Sequence, residues 1–439
     1  MIATGSSDAP SKRVIRSASP GWRARRTGVV VCSLLSLAMM VFAGCTPQQQ
    51  GRVGGDAPAI GGLPATPPMG WNSWNTFGCG VTEKVVREQA DALVSSGLRD
   101  AGYRYVVVDD CWAAPTRDAS GRLQADPVRF PSGMASLGAY LHERGLLFGI
   151  YSGARDKTCT QFQGVYPGAT GSGGHEELDA TTFAAWGVDY LKYDWCSSDS
   201  DHDDQVSSFT AMRDALRDTR RPIVYSINPN SGVSGSVPGA EFDWGGTATM
   251  TRVTNDITPA WSTPGGPSGL QGIVNIIDAA GPLTSRVQPG SFLDPDMLVV
   301  GMGRLTAAQQ RTQMSMWAMM AAPLITGNDL TTMSQETRDL LRNATAVDID
   351  QDSRVVAGAM VDDDPEVWSR AIGDKGLVIS LTNRADHPRT LSVPLGSVGL
   401  VGDASVTGVD AWTGRSYTAQ HGELSVPVGV HDTVMLEIR

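Results

Sequence analysis

The sequence predicts an α/β chain, a (β/α)8 TIM-type barrel followed by a C-terminal antiparallel β-sandwich. Three observations carry that reading. Between residues 64 and 345, short apolar runs alternate with segments of helical period, as in a chain of β/α units. Several of those runs end in polar side chains, and a barrel of this kind carries its active site at the carboxyl ends of its strands. From about Asp350 the helical period disappears, and short alternating strands separated by turn signals replace it.

The first unit opens on Met69-Gly70-Trp71-Asn72-Ser73-Trp74, and Val86, Ala90, Leu93 and Val94 share one face of the helix that follows. The second strand, from Tyr105 through Val108, runs into Asp109, Asp110, Cys111 and Trp112. A helix carrying Leu137, Tyr140 and Leu141 leads to the third strand, Leu147 to Tyr151. The fourth strand is Tyr190 to Asp194, where the apolar lead-in gives way to Lys192 and Asp194. Residues two apart in a strand share a face, so this cation and carboxylate project together. Such a pair is either a structural ion pair at a strand end or a carboxylate at a barrel mouth, serving as nucleophile or base. Recurrence of the design along the chain favours the second reading.

Ile223 to Asn228 makes a fifth strand. The sixth falls in Met250 to Asp256, with Arg252 and Asp256 four residues apart, and the seventh in Phe292 to Val300, which contains Asp294 and Asp296. Thr306 and Gln309 form a helix-start capping box ahead of Met316, Trp317, Met319 and Met320. Those methionines suit core filling rather than a ligand site. Pro323 to Gly327 closes the set as the eighth strand. The barrel domain is placed at residues 63–347 and the sandwich at 348–439, with strands such as Leu377-Ile379-Leu381, Leu391-Val393-Leu395 and Val434-Leu436-Ile438 punctuated by Gly402, Gly414 and Gly422. A packing role suits the sandwich better than a carbohydrate-binding one.

Composition narrows the function. In 439 residues there are 50 glycines and 11 tryptophans with only 18% charged residues, the profile of a loop-rich enzyme with an aromatic-lined pocket. A net charge of −11 excludes a basic face for nucleic acid, and no P-loop, dinucleotide fingerprint or HExxH motif occurs. Residues 1–45 read as a secretory leader: a basic start (Lys12, Arg13, Arg16, Arg23, Arg25, Arg26), then an apolar run from Val29 to Ala43 that is short for a bilayer span. It ends in Phe42-Ala43-Gly44-Cys45, which resembles a bacterial lipobox whose cysteine carries lipid; the alternative is an ordinary small-residue cleavage site. Residues 46–62 form a flexible tether. Outside the leader stand Cys79, Cys111, Cys159 and Cys196, an even count that suggests two disulfides in an exported chain. Spacing alone leaves all three pairings open, and CxxC pairs for a zinc site are absent.

Asp109, Asp110, Lys192, Asp194, Asn228, Asp256, Asp294 and Asp296 all fall at predicted strand ends. On a closed barrel they converge on one acidic pocket rimmed by aromatic rings. That chemistry suits a neutral polyol such as a sugar, whose C–H faces stack on rings and whose hydroxyls donate to carboxylates. A divalent-metal site is the competing reading for an aspartate cluster. Lys192 and Arg252 weaken it, because they repel a metal and instead favour ionised carboxylates.

At these positions the chain closely resembles glycoside hydrolase family 27, the α-galactosidases (melibiases) and their relatives. The matching motifs are Met69–Trp74 with Phe77-Gly78-Cys79, Val108–Trp112, Gly149-Ile150-Tyr151, Leu191–Cys196, Asp294–Leu298 and Trp317–Asp329, and the likeness extends over about residues 64–439. The resemblance implies an exported, bacterial-type exo-glycosidase that removes terminal α-D-galactosyl residues with retention and needs neither metal nor organic cofactor. It places the nucleophile at Asp194 and the acid/base at Asp256. It assigns sugar contacts to Trp74, Asp109, Asp110, Tyr151, Lys192, Arg252 and Asp296, with Asp109 and Asp110 on the 4 and 6 side of the ring. It pairs Cys79 with Cys111 and Cys159 with Cys196. One departure stands out: many family members carry Cys-Glu-Trp after the fifth strand, the Glu reading the sugar's 2-position, whereas this chain has Ile227-Asn228-Pro229. Asn228 offers a hydrogen bond without charge. That leaves α-N-acetylgalactosaminidase, β-L-arabinopyranosidase and isomaltodextranase-like specificities open. A catalytically silent glycan-binding lipoprotein is the reading from another class, and retention of both carboxylates argues against it. Asn343-Ala344-Thr345 is a formal glycosylation sequon, expected to be unused behind a bacterial-type leader.

Overall fold

Strands buried on both faces need nearly continuous apolar residues, and the apolar runs do become such strands. The computed structural model describes residues 64–439 apart from 199–200, 232–235, 265–268, 375 and 401–404. The leader, Cys45, the tether and Gly402 lie outside the described residues. Eight strands form one sheet: β1 (Met69–Asn72), β2 (Tyr105–Val108), β3 (Leu147–Gly153), β4 (Tyr190–Asp194), β5 (Val224–Asn228), β6 (Met250–Arg252), β7 (Phe292–Asp294) and β8 (Leu324–Thr326). Their order is β7-β6-β5-β4-β3-β2-β1-β8, with every pairing parallel. Just past β7, Leu298 bridges Thr326; its N–H donates to Ile325 O at 2.7 Å and its carbonyl accepts from Gly327 N–H at 3.1 Å. That bridge closes the barrel.

Strand alternation then sorts the side chains. Tyr105, Val107, Tyr190, Val224, Met250 and Phe292 share an inner cluster, whereas Val106, Val108, Leu191, Tyr193 and Tyr225 pack outward with the helices. Continuing the inner parity upward gives Asp109 from Val107, Lys192 and Asp194 from Tyr190, Asn228 from Val224, Arg252 from Met250 and Asp294 from Phe292. The same rule that fills the barrel therefore crowns it with polar groups.

The helices follow their sequence signals. Glu83–Ser95 buries Val86, Ala90 and Leu93 behind a Thr82 cap, with Val94 partly buried on the same core. Ala307–Met319 starts from the Thr306/Gln309 capping box and buries Met314, Met316, Trp317 and Met319 as core. The fifth and eighth strands are trimmed by a residue at one or both ends, and two others stop well short of the ends the sequence suggests. β6 stops at Arg252, which puts Asp256 on the loop beyond it. β7 stops at Asp294, because Pro295 has no N–H to continue the ladder.

The remaining strands are β9 (Ala359–Val361), β10 (Asp364–Ile372), β11 (Gly376–Thr382), β12 (Arg389–Pro394), β13 (Thr407–Asp410), β14 (Ser416–Thr418), β15 (Glu423–Val428) and β16 (Thr433–Ile438). They form an antiparallel six-stranded sheet, β14-β13-β16-β11-β10-β9, and a β12–β15 pair. Ile379, Leu381 and Leu436 meet Leu391, Val393, Leu424 and Val426 between the two sheets. The opposite face of the large sheet covers the barrel: Trp368, Val378 and Met435 join the barrel's own core, and Thr382 Oγ1 lies 3.5 Å from Met316 Sδ. Helix Ala344–Asp350 crosses the division expected between residues 347 and 348, and it buries Ala346, Val347 and Ile349. Asn343 caps that helix through its side chain and also donates to Ala411 O at 2.9 Å.

Close strand packing makes one glycine testable. A Cβ on Gly70 would sit 2.1 Å from Tyr105 O across β1 and β2. Gly70→Ala should therefore destabilise the fold by at least about 1–3 kcal/mol, the range for overpacking a tight core, as measured by denaturant unfolding. An unchanged midpoint would refute this.

Candidate active site

The polar crown encloses a cavity of about 200 Å³ at the carboxyl end of the barrel. Its lining includes Trp74, Asp109, Asp110, Tyr151, Lys192, Asp194, Asn228, Arg252, Asp256 and Asp296, so the sugar-facing set singled out in the sequence is brought together in one place. The disulfide partners Cys159 and Cys196 also line it, and Asn75, Thr160, Gln163, Ile257, Leu270 and Met297 complete the lining. These last six carry no periodic signal, because they sit on loops, on single-turn helices or one residue beyond a recognised group.

One wall is organised by Lys192. Its ammonium lies 2.8 Å from Asp109 Oδ2 and 3.8 Å from Asp194 Oδ2, and 5.2 Å from the centre of the Tyr151 ring. Burial works against that charge, but Asp109 and Asp194 together hold the lysine above its ordinary pKa. Asp109 Oδ2 also accepts from Asn72 Nδ2 at 2.7 Å, and its Oδ1 accepts the Asp110 N–H at 2.9 Å. Asp110 accepts the N–H groups of Cys111 and Thr160, at 2.7 and 3.0 Å. Burial pushes the Asp110 carboxyl up, with those hydrogen bonds opposing.

The loops here are cross-linked. Cys79 is joined to Cys111 and Cys159 to Cys196, with Cα separations of 5.1 and 5.2 Å. The second bridge ties the turn that presents Thr160 to the residues just after Asp194. Cys111 holds a left-handed φ of 74°, uncommon for a residue with a side chain, and this turns the chain sharply behind Asp110.

Arg252 organises the other wall. Its guanidinium reaches Asp256 Oδ1 at 3.1 Å, Asp294 Oδ2 at 3.5 Å and Asp296 Oδ1 at 2.8 Å. Asp296 accepts the Ile257 N–H on its other oxygen at 2.8 Å, and its own N–H donates to Asp294 Oδ1 at 2.8 Å. Like Cys111, it adopts a left-handed φ, here 77°. Burial raises its carboxyl to about 6 against the pull of Arg252. Asp294 is thus a support for both Arg252 and Asp296.

The two aspartates expected to do the chemistry have opposite surroundings. Asp194 is 7% exposed, and its Oδ1 is buried without a hydrogen bond from the described protein groups. Burial pushes its carboxyl up to about 7, outweighing the opposing charge of Lys192. Lys192 and Arg252 do favour the ionised form, as the sequence suggests, but desolvation, which the sequence does not show, is the larger effect. Asp256 is 67% exposed on its side chain, at the rim, and anchored by Arg252. Asn228, at the end of β5, accepts the Asn230 N–H on Oδ1 at 3.1 Å.

Comparison with known proteins places this arrangement. A family model described as alpha galactosidase A matches residues 66–352, and one described as the alpha galactosidase C-terminal beta sandwich domain matches residues 362–438. The chain belongs to the α-galactosidase (melibiase) family of glycoside hydrolases. It is similar to an alpha-galactosidase of Oryza sativa subsp. japonica, with 38% identity over 389 residues covering 85% of each chain. It is similar also to alpha-galactosidase A of Cellvibrio japonicus, with 41% identity over 329 residues covering 74% of this chain and 77% of that one. Among solved structures, alpha-galactosidase I from Mortierella vinacea aligns with a TM-score of 0.78 and 30% identity, covering 86% of this chain and 98% of that one. In this α-galactosidase-family barrel, the paired motifs and the cavity they line coincide.

The raised Asp194 carboxyl has a consequence for stability. A carboxyl whose folded pKa lies above its unfolded one costs the fold nothing while both states are protonated. The cost grows between 3.8 and about 7 and is complete above that. Asp194→Asn should therefore raise the melting temperature relative to the parent near pH 8, and the gain should fade toward pH 4. A gain of equal size at both pH values would contradict the assignment.

Proposed function

We propose that the chain is a retaining exo-glycosidase that hydrolyses terminal α-D-galactosyl residues, with Asp194 as nucleophile and Asp256 as acid/base. The observation that carries this reading is one cavity of about 200 Å³, at the carboxyl end of the barrel, that gathers Asp194, Asp256, Lys192, Arg252 and the Asp109/Asp110 pair. It is smaller than the roughly 300–1,000 Å³ of drug-sized ligand sites, which suits one sugar ring held at a chain end.

The chemistry divides along the geometry. Asp194 Oδ1, unengaged by described protein groups, attacks the anomeric carbon and forms a glycosyl-enzyme ester as the bond to the leaving oxygen breaks. Asp256 gives its proton to that oxygen, then takes one from the water that cleaves the ester, which restores both carboxyls. Its exposure at the rim leaves room for the departing alcohol and the incoming water. Trp74 supplies a stacking face, and Asp109 and Asp110 accept hydroxyls on the 4 and 6 side. Neither metal nor organic cofactor enters these steps.

Asn228 defines the second reading. Its Oδ1 is engaged by Asn230, so its Nδ2 is the group that reads the ring as a neutral donor. Such a donor serves a 2-hydroxyl in an α-galactoside and also the carbonyl of a 2-acetamido group. The deciding experiment is hydrolysis of nitrophenyl α-galactoside, α-N-acetylgalactosaminide, β-L-arabinopyranoside and α-glucoside, with Asp194→Asn and Asp256→Asn alongside. Cleavage led by the α-galactoside, and a loss of several orders of magnitude in the variants, is expected. Near-parent turnover in either variant removes that residue from the mechanism, and a different leading substrate makes Asn228 the specificity switch. Cleavage of none would favour either an extended natural glycan as substrate or the glycan-binding lipoprotein.

Export belongs to the same proposal. The leader over residues 1–45 and the two disulfides fit an oxidising compartment, and lipid on Cys45 would tether the enzyme to a membrane face. Expressed in a bacterial host, the chain should fractionate with membranes and take up labelled fatty acid, and Cys45→Ala should release it to the soluble exported fraction. A parent chain found soluble and unlabelled would leave export with simple cleavage.

A further inference from the structure

The segment bearing Asp256 is stapled to the chain that follows it. Gln271 N–H donates to Asp256 O at 2.9 Å, and Thr258 N–H donates to Gln271 O at 2.9 Å. Gln271 Oε1 accepts the Asn255 N–H at 2.9 Å. Farther on, Ile273 and Val274 donate to the carbonyls of Ala260 and Trp261 at 3.0 and 2.9 Å. Residues 255–261 are thereby fixed along residues 271–274, and a displacement at Trp261 is passed to Asp256.

Trp261 meets the β-sandwich. Its ring stacks on His431, with centroids 4.4 Å apart and planes 18° from parallel. His431 sits between β15 and β16 with a left-handed φ of 53°, a conformation that side chains with a Cβ seldom adopt. The imidazole is held in plane on both edges: Nε2 lies 2.9 Å from Asp386 Oδ1 and Nδ1 3.2 Å from Gln309 Nε2. Its backbone carbonyl accepts from Thr312 Oγ1 at 2.9 Å, and the neighbouring Asp432 pairs with Arg311 at 2.6 Å. The hairpin tip is thus fastened to helix Ala307–Met319, which the barrel core holds from the other side. Strain kept at a non-glycine residue whose ring is immobilised against a functional loop points to a task at that contact.

We infer that the C-terminal sandwich positions the acid/base of the reaction, with His431 bracing the Asp256 loop through Trp261. Both are positioning residues; neither lines the cavity. Mere attachment of the domain needs no such contact, since Trp368, Val378 and Met435 already pack into the barrel's core and the Arg370 guanidinium donates to Ala318 O of the barrel helix Ala307–Met319.

The inference rests on Asp256 being the acid/base, and the test separates the two. Protonation matters most when the leaving group is a poor one, so kcat/KM should be compared between a galactosyl disaccharide and 2,4-dinitrophenyl α-galactoside, using the full chain. Asp256→Asn is the reference and should lose far more on the disaccharide. His431→Ala and Trp261→Ala should follow the same pattern, losing about ten- to hundredfold on the disaccharide, the scale of a small misplacement of a catalytic group, and much less on the activated substrate. His431→Phe, which keeps a stacking ring, should recover most of the loss and also serves if the alanine variant folds poorly. Equal losses on both substrates in His431→Ala and Trp261→Ala, or none, would overturn the bracing role while leaving Asp256 intact. An Asp256→Asn variant without leaving-group dependence would instead overturn the acid/base reading beneath it.

Discussion

Two buried cations decide how so many carboxylates can share the mouth of one barrel. Like charges about 4 Å apart repel by roughly 4 kcal/mol per pair at the effective dielectric of a protein site, so an uncompensated cluster of aspartates would protonate or splay. Lys192 lies between Asp109 and Asp194, and Arg252 joins Asp256, Asp294 and Asp296. The dependence runs both ways. A buried ammonium or guanidinium is tolerated only with partners, and both cations are held above their ordinary pKa by the acids around them. Compensation is incomplete at Asp194 and Asp296, where burial wins and the carboxyls rise to about 7 and 6. The nucleophile of the proposed reaction is therefore poorly solvated before substrate arrives, a condition that favours its transfer to carbon over remaining a bare anion.

Strand parity is what made most of this legible in the sequence. Tyr190, Lys192 and Asp194 alternate with Leu191 and Tyr193, so filling the barrel with Tyr190 forces the next two inward residues to the mouth. Val107 does the same for Asp109, and Met250 for Arg252. A reader of the chain needs only the strands and the period of two. What lies beyond the strand ends is governed by other forces. Asp256 follows a three-residue strand; its pairing with Arg252, four residues before it, can be seen in the chain, whereas the backbone hydrogen bond from Gln271 that fixes its place has no local signature. Thr160 and Gln163 belong to the single-turn helix Cys159–Phe162 and its C-terminal end, placed by a disulfide, and Leu270 comes from a loop, so neither composition nor periodicity could find them. Burial misled in one respect, because charge sign can be read from the chain whereas desolvation cannot.

Strain marks the same boundary. Cys111, next to Asp110, and Asp296 itself hold left-handed backbones at carboxyl groups that line the cavity, without glycine's freedom. Such conformations persist only where surrounding contacts over-determine them. At Cys111 the restraint is covalent, through Cys79, with the N–H bound to Asp110. At Asp296 it is electrostatic, through Arg252 and the Ile257 N–H. The cost of bending the chain is thus met by groups that also line or support the cavity, so shape and charge there cannot be varied independently.

The two carboxyls of the proposed reaction face opposite demands, and the fold answers each differently. A nucleophile must meet one carbon at one angle, and Asp194 ends a central strand paired on both sides, with Gly153 and Asn228 in register beside it. An acid/base must admit an alcohol of variable size on its way out and water on its way in, which excludes burying it in the same wall. The exposed rim position of Asp256 meets that demand of the proposed mechanism, and exposure removes the packing that fixes Asp194. Precision has to come from farther away. The loop hydrogen bonds of Gln271 supply the near end, and the Trp261–His431 stack supplies the far end from a domain whose outer sheet face, through Trp368, Val378 and Met435, packs into the barrel's core. On this view the sandwich completes the rim of the site, and the mobility that chemistry requires of the acid is bounded by a contact that never touches the sugar.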